Sequence, residues 1–140
     1  MAIDECCQEN VVTAGPDAST MDIIGLMEDR NVGSVVITEK KKPVGIITDR
    51  DIILRVIANE KDPSKIKVKD VMTKNPMVLA GDIGLFDVLK QMEGKKFRRL
   101  PVVDAKGQLK GIITVDDLLR LFISELSSVA SILERQSPNF

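Results

Sequence analysis

The chain has 140 residues, 44% hydrophobic and 29% charged, which suits one compact domain or two half-domains sharing a core. Its 20 basic residues face 21 acidic ones, a formal net charge of −1, so the totals carry no excess of positive charge for nucleic acid. Histidine is absent and the two cysteines, Cys6 and Cys7, are adjacent, which leaves no donor set for a zinc or transition-metal site and no base for an ordinary Ser or Cys hydrolase triad.

The chain opens on Met1-Ala2-Ile3-Asp4-Glu5, without the basic start and apolar stretch of a signal peptide. No apolar run approaches the roughly 20 residues that span a bilayer. Neighbouring cysteines rarely pair and fit a reducing compartment, so the expected setting is the cytoplasm. Val11-Val12-Thr13 reads as a short strand, ended by Gly15-Pro16. Asp17 or Ser19 caps a helix with Met21, Ile24 and Met27 on one face, ending near Asn31. Ser34 to Thr38 is a buried strand; Lys40-Lys41-Lys42-Pro43 turns the chain, and Val44 to Thr48 returns as a hairpin. A second helix starts at Thr48 and passes Ile52, Ile53 and Val56 to about Asn59. Glu60 to Lys69, charged and interrupted by Pro63, is a linker.

The pattern then returns. Met77-Val78-Leu79 reads as strand, Gly81-Asp82 as turn and cap, and the next helix runs to Glu93 with Gly94 as its stop. Leu100 to Asp104 and Leu109 to Thr114 form a second hairpin, turned at Lys106-Gly107, and the last helix starts at Thr114. Gly45-Ile46-Ile47-Thr48-Asp49-Arg50-Asp51 recurs as Gly111-Ile112-Ile113-Thr114-Val115-Asp116-Asp117 in the same β-α-β-β-α context. Neither half has enough chain to bury much core alone, so the two are expected to form one pseudo-symmetric α+β unit, with two short sheets packed against four helices. The final helix breaks the symmetry. Its apolar positions Leu118, Leu119, Phe122, Leu126, Val129 and Leu133 run far beyond the end of the first repeat, and serve either the domain's own core or contact with a second copy.

The two G-I-I-T-x-x-D motifs, Asp70-Val71-Met72-Thr73 leading into Asn75-Pro76, and Arg99-Leu100-Pro101-Val102-Val103-Asp104 carry a resemblance. From about residue 8 to 126 the chain resembles a tandem pair of cystathionine β-synthase (CBS) domains, often called a Bateman module. The resemblance implies a first repeat over 1–59, a linker over 60–70, a second repeat over 71–126 packed on the first through its sheet, and a C-terminal helical extension over 127–140. It also implies a non-catalytic regulatory module that needs no cofactor. Such modules bind AMP, ADP, ATP or sometimes S-adenosylmethionine, assemble as dimers, and pass the binding state to an effector protein.

The T-x-x-D spacing supports two compatible readings. Thr48 with Asp51, and Thr114 with Asp117, form capping-box-like helix starts that need no ligand. In the ligand reading each carboxylate accepts both ribose hydroxyls, having two acceptor oxygens and charge-assisted bonds to offer, while the helix start favours phosphate. By the resemblance, the Asp51 site takes Met77 and Val78 around adenine and meets phosphate with Arg98 and Arg99. The mirror site joins Asp117 and Thr114 to Val11 and Val12. Val32 and Gly33 stand where the second repeat has Arg98 and Arg99, with Arg50 as a compensating cation and Asp116 as an opposing charge. Non-equivalent sites are expected, the Asp51 site favouring the more phosphorylated ligand unless Asp116 cancels part of the gain.

The first repeat departs from the family where Glu5-Cys6-Cys7-Gln8-Glu9-Asn10 replaces a Met-Thr…Pro lead-in, which puts any lead-in contact with ligand in doubt. Cys6 and Cys7 read as small buried or half-buried residues. Met21, Met27, Met72 and Met92 read as core filling. Lys40-Lys41-Lys42 reads as a solvated hairpin tip. Two rivals stand beside the nucleotide sensor: a ligand-free dimerisation module, and nucleic-acid binding through Arg98, Arg99 and the lysine loop, which the balanced charge disfavours. No catalytic or metal-binding constellation is visible.

Overall fold

The computed structural model of the chain describes residues 3, 7–96 and 98–136. The first repeat comprises β1 (Thr13–Ala14), α1 (Thr20–Arg30), β2 (Ser34–Glu39), β3 (Lys42–Thr48) and α2 (Asp49–Ile52), which widens into a π-turn over Ile53–Ile57. A 3-10 turn at Val68–Asp70 leads to β4 (Thr73–Lys74), β5 (Leu79–Ala80), α3 (Leu85–Met92), β6 (Arg99–Val103), β7 (Leu109–Thr114) and α4 (Val115–Gln136). The sheets run β1-β2-β3-β4 and β5-β6-β7. In each, the first strand is parallel to the second and the hairpin is antiparallel.

The hairpin strands are apolar almost without a break because both of their faces are buried. Side chains alternate across a strand, so Val35, Ile37 and Ile47 join Ile23, Ile52 and Val56 in the first core. Val36 and Ile46 point the other way and meet Ile112 of the second repeat, with Val11 and Leu109 against them. This apolar seam joins the halves through their sheets. Leu79, Val88, Leu100, Val102, Ile113 and Leu118 form the second core, together with Ile3. The first hairpin turns on Lys40 and Lys41, exposed as expected and both at positive φ, and this turn aims the Lys41 carbonyl at the Leu109 N–H, 2.8 Å away in the second repeat.

The lead-ins change places. β4, which precedes the second repeat's own strands, pairs with β3 of the first repeat at Gly45 and Ile46. Gln8, ahead of the first repeat's own strands, exchanges two backbone hydrogen bonds of 2.9 Å with Ile112 of the second. Cys7 beside it is half-buried, while Cys6 lies outside the described residues.

Several expectations need correction. On α1 the buried residues are Thr20 and Ile23, whereas Met21 is 44% exposed. The Ser19 hydroxyl caps the helix by accepting from the Asp22 N–H, which fixes the register, and a strict three-residue stripe drifts off the buried face of a 3.6-residue helix. The second helix does not continue regularly from Thr48: four α residues pass into the π-turn, with Thr48 outside as the cap. β5 lies two residues later than its predicted start, and α3 begins after Gly84 with no side-chain cap, so Asp82 does not serve. Part of the segment Glu60 to Lys69, read as a linker, lies against the first repeat, which the linker reading leaves open. Pro63, Ile66 and Ala18 accept backbone bonds from Met21, Thr20 and Val68, and Val68 is fully buried. A hydrogen bond from Lys69, with the charges of Lys69 and Lys67, holds the exposed Asp17 carboxyl below its ordinary value. Stability from this contact is present at neutral pH and fades as pH falls through that lowered value. Of the α4 stripe, Leu118 is buried, as is Leu121, but Leu119, Phe122, Leu126, Val129 and Leu133 are exposed. Beyond Leu121 the helix covers none of the described core.

Candidate functional site

Each hairpin delivers its last residue, Thr48 or Thr114, in register opposite the first residue of the preceding strand, Ser34 or Arg99. The chain then turns into a helix, and the turn is closed by the same two bonds in both repeats. The Thr48 hydroxyl accepts from the Asp51 N–H at 3.1 Å, and Asp51 Oδ2 accepts from the Thr48 N–H at 3.0 Å. Thr114 and Asp117 repeat the arrangement at 3.1 and 3.0 Å. The capping reading is therefore met in full. It uses one oxygen of each carboxylate on one side only, and a carboxylate has about four lone-pair sites. The Asp51 and Asp117 side chains are 19% and 15% exposed, so each carboxylate still meets solvent beside its partners. Thr48→Ala and Thr114→Ala should each cost about 1 kcal/mol, the usual value of a lost N-cap, measured by thermal unfolding.

The remaining partners differ. Asp51 Oδ1 faces Arg55 Nη2 at 3.4 Å. Arg55 Nη1 in turn donates to the Val71 carbonyl at 2.9 Å and the Thr73 hydroxyl at 3.2 Å, both in the second repeat's lead-in. Asp117 Oδ1 faces Arg120 at 3.3 Å, and its Oδ2 also accepts from Gln8 Nε2 at 3.4 Å, in the first repeat's lead-in. Sequence reasoning missed Arg55, Gln8 and Arg120. The i to i+4 and i to i+3 spacings from the aspartates were the available signal for the two arginines.

Arg98 and Arg99 are exposed. They line a cavity of about 140 Å³ with Thr114, Val115 and Asp116, at the start of α4. The Val115 N–H donates to the Arg98 carbonyl at 2.9 Å, which ties the arginine pair to the helix start. Arg99 also reaches the first repeat: a Cβ on Gly33 would lie 3.6 Å from its Nη2 and 3.0 Å from Asp49 Oδ2. The arginine pair thus stands at the Asp117 helix start and, through Arg99, beside the residues that precede Asp51. Arg50 is exposed, and its N–H donates to Asp49 Oδ1 at 2.8 Å. Met77 is half-buried against the second core and Val78 is exposed. Val11 lies against the inter-repeat seam; Val12 packs on the first core and its carbonyl accepts from the Val36 N–H.

The glycines at matching places of the two hairpins, Gly45 and Gly111, explain how the lead-ins fit. A Cβ on Gly111 would lie 2.6 Å from Cys7 Sγ and 2.8 Å from the Gln8 carbonyl oxygen, and a Cβ on Gly45 would overlap the Met72 thioether. Both lead-ins need a strand residue without a side chain beneath them. Among the described residues no group of acidic, Cys or His side chains could hold a metal ion, and no helix is long and apolar enough to cross a membrane.

The comparisons with known proteins agree with this architecture. The CBS domain family matches twice, over residues 3–58 and 68–124. An uncharacterised protein of Methanopyrus kandleri is 34% identical over 122 residues, 86% of this chain and 62% of its own. Inosine-5′-monophosphate dehydrogenase of Methanocaldococcus jannaschii is 38% identical over 118 residues, 84% of this chain and 23% of the enzyme. This chain therefore spans less than two thirds of either relative. Among solved structures, the hexameric CBS-CP12 protein from bloom-forming cyanobacteria superposes with a TM-score of 0.75 at 30% identity, covering 85% of this chain and 66% of that one. The CBS domain pair of protein MJ0100, in complex with 5′-methylthioadenosine and S-adenosyl-L-methionine, gives 0.75 at 26% identity, covering 89% of this chain and 98% of that one. With two matched repeats whose sheets meet in one seam, the chain belongs to the CBS domain family, as a tandem pair.

Proposed function

We propose that the chain is a regulatory module that binds an adenosine ligand, AMP, ADP or ATP first among them, in the clefts between its repeats. The observation that carries this reading is the pair of half-buried carboxylates, Asp51 and Asp117, each held by its own cap on Oδ2 while Oδ1 faces an exposed arginine that ribose hydroxyls can displace. Ribose hydroxyls suit such a carboxylate, since two donors converge on a charged acceptor. Met77 and Val78 serve the adenine of the Asp51 site, and Val11 and Val12 that of the Asp117 site. The neighbour crystallised with two adenosine-containing ligands supports the ligand class and keeps S-adenosylmethionine as a candidate. The module acts by binding, in a cytoplasmic setting, and its output passes to an effector by a shift in how the repeats pack.

Arg98 and Arg99 serve phosphate, and their position beside both helix starts divides them between the sites. The Asp51 site takes the more phosphorylated ligand unless Asp116, which shares the arginines' cavity, cancels part of the gain. Arg99→Ala should weaken ATP about tenfold, roughly 1.4 kcal/mol, while leaving adenosine within about twofold. Isothermal titration of both ligands into both proteins checks this. Equal losses for ATP and adenosine would remove Arg99 from the phosphate role.

The α3–α4 face supports self-association as a second property of the module. Phe86 is 70% exposed, and with Leu89, Leu119 and Phe122 it lines a groove of about 1110 Å³. A monomer gains nothing from such a surface, and a second copy would cover it.

A further inference from the structure

We propose that Arg55 and Gln8 couple each ligand carboxylate to the lead-in strap contributed by the other repeat, so that occupancy of one site is felt across the seam. The inference rests on the ligand reading of Asp51 and Asp117. Its own basis is a connection that the capping function does not require.

Arg55 makes three contacts with two nitrogens. Nη2 faces Asp51 Oδ1 at 3.4 Å, while Nη1 holds the Val71 carbonyl at 2.9 Å and the Thr73 hydroxyl at 3.2 Å. A planar guanidinium cannot turn toward one partner without moving its bonds to the others. Val71 to Thr73 begins the strap that becomes β4 on the edge of the first sheet, and Met72 between them lies over Gly45. The strap then continues into Met77 and β5 of the second repeat. A ribose whose hydroxyls bind Asp51 competes with Arg55 for Oδ1, and Arg55 carries that change into the strap.

The second repeat has the same connection in a shorter form. Gln8 lies on the first repeat's strap, held to Ile112 by two backbone bonds and set over Gly111, and its side chain reaches Asp117 Oδ2 directly. Gln8 and Thr73 occupy matching places on the two straps. One site signals through a charged side chain with two firm strap bonds, the other through a neutral amide at 3.4 Å, so the Asp51 side is the stronger coupler.

Hydrogen exchange with AMP as the probe tests this, on the whole chain with Arg55→Met and Thr73→Val beside the wild type. In the wild type AMP should slow exchange both at 48–51 and at 71–74. Arg55→Met should keep the slowing at 48–51, lose most of that at 71–74, and bind AMP within about tenfold of the wild type. Thr73→Val, which leaves the Asp51–Arg55 pair untouched, should show the same separation in weaker form. Full slowing at 71–74 in both variants overturns the coupling. Absence of slowing at 48–51 in the wild type overturns the ligand reading beneath it, a failure recognised without either variant.

Discussion

Gly111→Ala lowers the melting temperature by about 6–10 °C, the equivalent of roughly 2 kcal/mol in a domain of this size. The sign is the informative part. A glycine within a strand is ordinarily a liability, and alanine recovers about 0.5–1 kcal/mol where the backbone accepts it. At Gly111 the added methyl would stand 2.8 Å from the Gln8 carbonyl oxygen as well as 2.6 Å from Cys7 Sγ. Backbone cannot rotate aside as a side chain does. The strap must lift, and the two bonds between Gln8 and Ile112 go with it. At Gly45→Ala the nearest atoms all belong to the Met72 side chain, which has rotamers to choose from, so its cost is smaller. Thermal unfolding of the two variants gives the order, and a Gly111→Ala protein as stable as wild type would show that the strap is not seated as described.

Asp51→Ala lowers the affinity of its site for AMP by about 100-fold, because two hydroxyl bonds to a carboxylate are lost together at about 1.5–3 kcal/mol each, partly recovered by water. The same change removes half of a capping box and costs about 1 kcal/mol of stability. The two roles separate in Asp51→Asn. Its amide oxygen still accepts from the Thr48 N–H, so the cap survives, while the charge that attracts ribose donors and the exposed pair with Arg55, worth about 0–1 kcal/mol, are lost. Titration should place Asp51→Asn close to alanine in affinity, while melting should place it close to the wild type. If Asp51→Asn binds as the wild type does, the carboxylate is a cap and nothing more.

Much of this was legible in the chain because the repeat doubled every signal. The hairpins follow from runs such as Val35-Val36-Ile37 and Ile46-Ile47, and both caps follow from the Thr-x-x-Asp spacing. The exchanged lead-ins were not legible. β4 and the Gln8 bridge are two residues and one residue long, too short for any hydrophobic period to register, and their pairing is set by the other repeat. Their trace was in the motif all the same, since Gly45 and Gly111 open both copies and a strand rarely keeps a glycine without a close neighbour. Met21 was misplaced because three-residue steps imitate a helical stripe over a single turn, while the Ser19 cap and the bond from the Thr20 hydroxyl to the Ile66 carbonyl set the actual register. Arg55 was missed for a different reason: its strap partners are 16 and 18 residues away, and only the fold brings them together.

The most direct test is isothermal titration of AMP, ADP, ATP and S-adenosylmethionine into the purified chain, with folding confirmed by circular dichroism. The account predicts saturable binding of at least one adenosine ligand with a Kd in the micromolar range, about −8 kcal/mol, the value suited to a reversible sensor. Flat traces for all four ligands on folded protein would contradict it, and would leave the two aspartates as helix caps in a module that works through its exposed helices alone.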